Sequence, residues 1–319
     1  SKDELTLLAA IENSGKQEDT KNADIEISAD AQKANGDEEE TQDPIAAAGA
    51  ENVAATATPV WTKQAEVNRD KLLDFDYLVK NFYRIDRTTT IDSSELNPGQ
   101  LLAKDLTIDT NVGGPVILIY HTHSQEGFVD SDGSEGMTVM GLGDRLTSLL
   151  QDTYGIPVLH HRGKYDVDGR DYAYSNAEPE IRQVLADNPT IQVVIDLHRD
   201  GVGDDVHLVT DIGGKQTAKI MFFNGLSRTT STGPIDYLQN PNLQDNLATS
   251  LQMQIAAAEL YPGFTRPVFL KGYRYNMHMC PKSMLIEVGA QTNPFEEVYN
   301  AMDPLANILA YVLLGQSHT

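Results

Sequence analysis

The stretch PVILIYHTHSQE at residues 115–126 decides the fold, because a short apolar run leads directly into a cluster of polar side chains. The run follows Gly113 and Gly114, and a bounded apolar run of this length is typical of a strand that is buried on both faces of a sheet. In open α/β sheets, ligands bind beyond the carboxyl ends of the strands. We therefore expect the two histidines and the glutamate that follow this run to lie at a functional strand end.

The rest of the chain alternates between apolar runs of strand length and longer segments with helical periodicity. Strands are predicted at residues 115–121, 156–160, 191–197, 206–210, 218–223, 268–270 and 283–288, and helices at 137–150, 177–186, 239–260 and 295–314. This alternation predicts an α/β fold with a mostly parallel sheet that is covered by helices on both faces.

Two segments precede the main domain, which we place at residues 115–319. Residues 1–59 contain 14 acidic and 4 basic side chains. Such a segment buries too little apolar surface to offset its ordering entropy, so residues 1–60 are expected to form a disordered acidic linker, with a short helix at residues 5–11 as the exception. Apolar residues at near-helical spacing predict that residues 61–114 form a helical lead-in packed on the main domain.

Composition excludes several classes of protein and of site. A formal net charge of -23 would repel nucleic acids and anionic lipid headgroups. Cys280 is the single cysteine, so an intrachain disulfide and a thiolate-rich metal site are both excluded. The chain contains no run near the roughly 18 apolar residues that span a bilayer. We expect a soluble chain, attached to a membrane only through an anchor that these residues do not include.

Polar side chains follow or interrupt three of the predicted strands. They are His121, His123 and Glu126 after the first strand, Asp196, His198, Arg199 and Asp200 at the second, and Glu287 within the third. Alternation along a strand predicts that His121 and His123 point to the same side. Catalytic zinc often takes two histidines and one glutamate and leaves its fourth position to water. The sequence thus predicts a metal site formed by His123, Glu126 and His198.

The roles of the remaining histidine and of the late glutamate follow from their surroundings. His123 is favoured over His121 as the ligand, and His121 is then expected to support the ligands or to contact substrate. Glu287 lies in an apolar strand, where an unpartnered carboxylate is costly. We predict that it is a general base beside zinc-bound water. The alternative is a structural salt bridge with Arg199 or Arg274.

Three further polar residues lie just beyond the strand ends. Arg199, Asp200 and Asn293 are candidate substrate contacts, although caps or hydrogen bonds within the loops would explain them equally well.

The segments LIYHTHSQEGF, VVIDLHRDG and MLIEVGAQTNPFEEV, preceded by FDYLVKNFYRID and LLAKDLTID, resemble in order and spacing the motifs of the stage II sporulation protein P family. The resemblance covers residues from about Leu72 to Leu314. It implies an amidase-like domain and a zinc-dependent N-acetylmuramoyl-L-alanine amidase, with zinc on His123, Glu126 and His198 and with Glu287 as the catalytic residue. In the broader amidases the glutamate ligand lies farther from the first histidine, which leaves Glu135 as the alternative to Glu126.

The resemblance also implies a biological setting. Members of the family remove stem peptides from peptidoglycan during forespore engulfment, with an endopeptidase activity on peptide crosslinks in addition. The implied partners are stage II sporulation proteins D and M, and the implied location is extracytoplasmic, anchored in the space between mother cell and forespore. The competing expectation is a catalytically silent module that binds peptidoglycan or acts as a scaffold.

Overall fold

The computed structural model describes residues 61–316, which are built around one central sheet. The expected linker at residues 1–60 and the short helix within it lie outside the described residues. In chain order the strands are β1 (Tyr83–Ile85), β2 (Ile117–Tyr120), β3 (Val158–His160), β4 (Val193–Asp200), β5 (Val209–Ile212), β6 (Lys215–Ala218), β7 (Ile220–Gly225), β8 (Arg228–Thr229), β9 (Gly233–Pro234), β10 (Val268–Lys271) and β11 (Ser283–Ala290).

Seven of these strands form the central sheet, in the order β1-β10-β7-β11-β4-β2-β3. Neighbouring strands in it are parallel at every junction except that between β7 and β11, which is antiparallel. The prediction of a mostly parallel sheet is confirmed. Strands β5 and β6 pair as a separate antiparallel hairpin, as do β8 and β9.

Helices cover both faces of the sheet. The α-helices of the described residues are α1 (Arg69–Leu72), α2 (Phe75–Phe82), α3 (Pro98–Leu102), α4 (Val139–Tyr154), α5 (Ala173–Asp187), α6 (Leu243–Leu260), α7 (Phe295–Asn300) and α8 (Met302–Leu313). On one face, α4, α6 and α8 enclose the larger core, which contains Ile195 and Ile286. On the other face, α5 packs Ala177 and Ile181 against Leu118 of β2. None of the helices described between residues 61 and 316 is long and apolar enough to cross a bilayer.

The structure differs from the sequence prediction at both ends of the described chain. The lead-in contains helices α1 to α3, but it also supplies β1, which pairs in parallel with β10 at the edge of the sheet. A three-residue strand shows no measurable periodicity, so pairing with β10 is what defines it. The helix predicted at 295–314 is two helices, α7 and α8, which meet at Ala301.

Candidate active site

The candidate residues meet at the carboxyl ends of β2, β4 and β11, three neighbouring strands of the sheet. Parallel register places Glu287 of β11 directly beside His198 of β4, and Tyr120 of β2 beside Asp196. Because side chains alternate along a strand, Asp196 and His198 point to one face. That face is the one against which α5 packs.

Two buried imidazoles form the centre of the site. The rings of His123 and His198 lie edge to face with their centroids 5.3 Å apart. Tyr174 of α5 contacts both, at 5.6 Å from His123 and 6.4 Å from His198. Burial and the neighbouring His198 lower the pKa of His123 to about 3. His123 is therefore neutral near pH 7, the form in which imidazole binds metals.

Glu126 is buried beside this pair. Its Oε2 lies 3.5 Å from Nδ1 of His198 and accepts the backbone N–H of Arg199 at 3.0 Å. Its Oε1 accepts a hydrogen bond from Arg170 at 2.5 Å. Burial would raise the pKa of Glu126, but the hydrogen bond and charge of His198, together with Arg170, hold it well below its ordinary value. Arg170, which the sequence did not single out, thus shares the carboxylate with His198.

The second nitrogen of His198 faces a carboxylate on its own strand. Nε2 lies 2.7 Å from Oδ1 of Asp196, although its N–H is not aligned for a regular hydrogen bond. Asp196 also accepts the backbone N–H of Thr122 at 2.8 Å and its hydroxyl at 2.6 Å. Burial would lower the pKa of His198, but the charges of Asp196 and Glu126 raise it well above its ordinary value. The two-residue spacing of Asp196 and His198 was the sequence signal for this contact.

Glu287 has one carboxyl oxygen without a partner. Its Oε2 is buried and has no hydrogen-bond partner among residues 61–316. Burial and the charge of Asp200 raise the pKa of Glu287 to about 8. The alternative of a structural salt bridge is wrong for the described residues, because Arg199 donates to the carbonyl oxygens of residues 127 and 200 and Arg274 pairs with Glu178.

His121 lies apart from the other candidates. Its Nδ1 is 2.8 Å from the carbonyl oxygen of Leu197, and its Nε2 is 2.9 Å from Nε2 of His160. The expectation that His121 and His123 share one side is wrong, because β2 ends at Tyr120 and strand alternation stops there. His121 is fully buried, which leaves it no surface for contact with substrate.

The three candidate substrate contacts mainly form hydrogen bonds and ion pairs within the protein. Asn293 is fully buried, with Oδ1 accepting the N–H of Ala290 at 2.8 Å and Nδ2 donating to the carbonyl oxygen of Leu208 at 3.0 Å. Arg199 bonds to backbone oxygens, and Asp200 pairs with Arg266 at 2.6 Å. These contacts match the alternative of loop hydrogen bonds, and the buried Asn293 offers no polar atom to substrate.

Glu135, the alternative to Glu126, lies in a different environment. It pairs on the surface with Arg162 and with Lys164, whose Nζ is 2.7 Å from it. Hydrogen bonds from these two cations lower the pKa of Glu135 to about 2. The buried carboxylate next to His198 is that of Glu126.

The chemistry of these groups fits zinc, although their present arrangement does not enclose an ion. Within residues 61–316, no three His, Cys, Asp or Glu side chains stand together in a way that would hold a metal ion. Imidazole and carboxylate are nevertheless the ligands that zinc takes in cysteine-free sites. Nδ1 of His123 is buried without a hydrogen-bond partner, and its nearest carboxylate, Asp166, is 4.0 Å away. An orphaned buried nitrogen costs free energy that a bound ligand would recover.

Sequence comparison identifies one family. The family model described as stage II sporulation protein P matches residues 2–310. The stage II sporulation protein P of Bacillus subtilis (strain 168) is 26% identical over 227 residues, which cover 65% of this chain and 53% of that protein. The chain therefore spans about half the length of this curated relative.

Solved structures of amidases are similar at low identity. The catalytic domain of CwlV, an N-acetylmuramoyl-L-alanine amidase from Bacillus (Paenibacillus) polymyxa var. colistinus, matches with a TM-score of 0.36 and 11% identity, covering 61% of this chain and 94% of that one. The N-acetylmuramoyl-L-alanine amidase AmiC2 of Nostoc punctiforme matches with 0.39 and 12%, covering 65% and 99%. The catalytic domain of the CD27L endolysin, which targets Clostridia difficile, matches with 0.40 and 12%, covering 63% and 97%.

Proposed function

The chain belongs to the stage II sporulation protein P family, and from this membership we propose that it is a peptidoglycan hydrolase of sporulation. The specific activity that we propose is that of a zinc-dependent N-acetylmuramoyl-L-alanine amidase, which cleaves the amide between the lactyl group and the L-alanine of the stem peptide. One observation carries the proposal: His123, Glu126, His198 and Glu287 converge at the ends of three adjacent strands.

His123, His198 and Glu126 are the residues that would hold the ion. When bound, zinc acts as a Lewis acid that polarises the amide carbonyl and a water molecule. His123 is already neutral at physiological pH because burial lowers its pKa to about 3. Glu126 stays ionised, since its pKa lies well below the ordinary value. Both are therefore in the protonation state that a ligand requires, whereas His198, whose pKa is raised well above its ordinary value, would release a proton on binding the ion.

Glu287 would carry the proton between water and the leaving group. Its position beside His198 in the register of β4 and β11 sets its carboxyl group next to the ligands. Oε2 has no hydrogen-bond partner in the described residues. Glu287 keeps its proton up to about pH 8 in the metal-free protein, so it would accept a proton from the attacking water at Oε2 once the positive charge of the bound ion favours its carboxylate form. The same oxygen would then deliver that proton to the departing L-alanine nitrogen. A covalent intermediate with the protein is not part of this scheme.

Purified sacculi provide the direct test. The protein with zinc should release stem peptides of the masses expected for amide cleavage, as measured by mass spectrometry, and Glu287→Gln should not. Elemental analysis should find one zinc per chain in both proteins. Full hydrolysis by Glu287→Gln would show that the proton-transfer role is wrong. Products cut within the crosslinks would instead identify a zinc peptidase.

The ion pair between Arg170 and Glu126 favours a second candidate, a silent module that binds peptidoglycan without turnover. An arginine that permanently occupies Oε1 leaves only Oε2 for an ion and offsets the negative charge that would attract one. Cosedimentation with sacculi in the absence of zinc and of released peptides would support this alternative. Zinc-dependent release of peptides would eliminate it.

The setting that we propose follows from family membership alone. The protein would act outside the cytoplasm, in the space between mother cell and forespore, with stage II sporulation proteins D and M as partners during engulfment. A fluorescent fusion should concentrate at the engulfing septum, and the two partners should copurify with it from sporulating cells. Uniform cytoplasmic fluorescence would contradict this location.

A further inference from the structure

Asp196 is a buried carboxylate to which neither the sequence motifs nor the proposed mechanism gives a task. It is 3% exposed and lies two residues before His198 on β4. Its Oδ1 is 2.7 Å from Nε2 of His198. Burial would raise the pKa of Asp196, but the charge and contact of His198 and the hydrogen bonds from Thr122 lower it overall.

Thr122 holds Asp196 in place from the neighbouring strand end. The backbone N–H of Thr122 donates to Oδ1 at 2.8 Å, and its hydroxyl donates to Oδ2 at 2.6 Å. Both carboxylate oxygens therefore have a partner on Thr122, which is itself fully buried. A carboxylate held at both oxygens has little freedom to rotate.

The opposite edge of the His198 ring faces the site. Nδ1 lies 3.5 Å from Oε2 of Glu126. Turning the ring over would set a carbon edge against Asp196 and leave that buried carboxylate without its third contact, which is costly. The contact between Asp196 and Nε2 thus selects one of the two ring orientations.

We propose that Asp196, held by Thr122, is a positioning residue that fixes His198 with Nε2 toward Asp196 and Nδ1 toward the site, so that His198 binds a metal ion through Nδ1. The second half of this statement rests on the proposed zinc dependence. Metal-binding histidines commonly donate their other ring N–H to a carboxylate, which fixes the ring and raises its basicity as a ligand. The 2.7 Å contact between Nε2 of His198 and Asp196 approaches that relation, although the N–H is not aligned for a regular hydrogen bond.

Cadmium-113 bound to nitrogen-15-labelled wild-type protein tests which nitrogen binds. A one-bond coupling between cadmium and Nδ1 of His198 is expected, and a coupling to Nε2 would overturn the proposal while leaving the proposed function intact. If neither zinc nor cadmium binds the wild-type protein, zinc dependence itself fails. The metal-free spectrum then decides: the Nε2 proton of His198 should be protected from solvent exchange and should lose this protection in Asp196→Asn. An unprotected proton in the wild type would overturn the proposal.

Three substitutions test the positioning role through zinc affinity, measured by competition with a chelator. Asp196→Asn should weaken zinc binding by about 10- to 100-fold, the usual effect of removing such a partner. Thr122→Val, which removes only the hydroxyl, should weaken zinc binding less than Asp196→Asn does. Thr122→Ser, which keeps the hydroxyl, should retain wild-type affinity. A merely structural role would lower the resistance of Asp196→Asn to urea and leave zinc affinity unchanged, which would also overturn the proposal. If Asp196→Asn does not fold, the cadmium coupling in the wild type still decides.

Discussion

Replacing Glu287 with Gln should make the metal-free protein more stable and should abolish the activity of the zinc-loaded protein. Burial and the charge of Asp200 raise the pKa of Glu287 from 4.5 to about 8. The unfolded chain ionises this group above about pH 4.5, whereas the folded protein keeps the proton until about pH 8. The unfolded state thus binds fewer protons in this interval, and the contribution of Glu287 to stability falls as the pH rises.

The size of the effect follows from the same two values. Each pH unit between them changes the free energy of unfolding by about 1.4 kcal/mol. At pH 7 the interval above 4.5 is 7 − 4.5 = 2.5 units. Ionisation of Glu287 in the unfolded chain therefore lowers the free energy of unfolding by an amount on the order of 3 kcal/mol. Gln at position 287 cannot ionise in either state. The substituted protein should therefore gain stability over the wild type, by an amount that grows from pH 5 to pH 8.

Urea denaturation with a chelator present, at pH 5, 6, 7 and 8, measures the gap, which is the difference in the free energy of unfolding between the substituted protein and the wild type. Titrating groups remote from Glu287 are common to both proteins and cancel in the difference. Glu135→Gln is the matched control, because hydrogen bonds from Lys164 and Arg162 lower the pKa of Glu135 to about 2 and neither cation titrates between pH 5 and pH 8. Its contribution to stability is lost only as the pH falls from about 4.5 toward 2, so its gap should be constant from pH 5 to pH 8. A gap for Glu287→Gln that is equally independent of pH would refute the reasoning.

Three other perturbations have defined outcomes. Glu126→Gln should abolish zinc binding as measured by elemental analysis, whereas Glu135→Gln should leave it unchanged; the reverse result would identify Glu135 as the ligand. In Gly143→Ala the new Cβ would lie 2.5 Å from Nε2 of His160 and 2.6 Å from Nε2 of His121. Overpacking of about 1 to 3 kcal/mol should then exceed the roughly 1 kcal/mol gain in helix propensity, and urea denaturation would contradict this if the variant were more stable. Removal of zinc by a chelator should stop peptide release from sacculi and added zinc should restore it, and undiminished release would contradict zinc dependence.

Most of the fold could be predicted from local patterns. Strands β2, β4 and β11 are buried on both faces, so each needs a nearly continuous apolar run, and such runs are visible without any knowledge of neighbours. The polar residues that interrupt these apolar runs are informative for the same reason, because a buried strand rarely contains them. His198 and Glu287 interrupt apolar strands, which is why the sequence could single them out for a shared site. Their adjacency in the register of β4 and β11 agrees with that expectation.

Contacts between distant segments could not be predicted in this way. Strand β1 exists because β10 pairs with it 185 positions later in the chain (268 − 83), and no local pattern reports such a pairing. The direction of His121 depends on where β2 ends and on the close approach of Gly143 and His160. Arg170 reaches Glu126 from a short helical turn that precedes α5, so its role is invisible in the motif that contains Glu126.

The amino-acid sequence by itself determined the fold class, the strand ends that bear chemistry and the kinds of ligand available, because burial imposes hydrophobic patterns that are local in the chain. Tertiary structure alone decided which nitrogen of His198 faces Asp196, which cation pairs with Glu126, and which glutamate lies beside the imidazoles. These outcomes depend on distances of a few ångströms between side chains from different strands and helices. Such distances are set when the whole chain packs, and the hydrophobic periodicity of the sequence does not predict them.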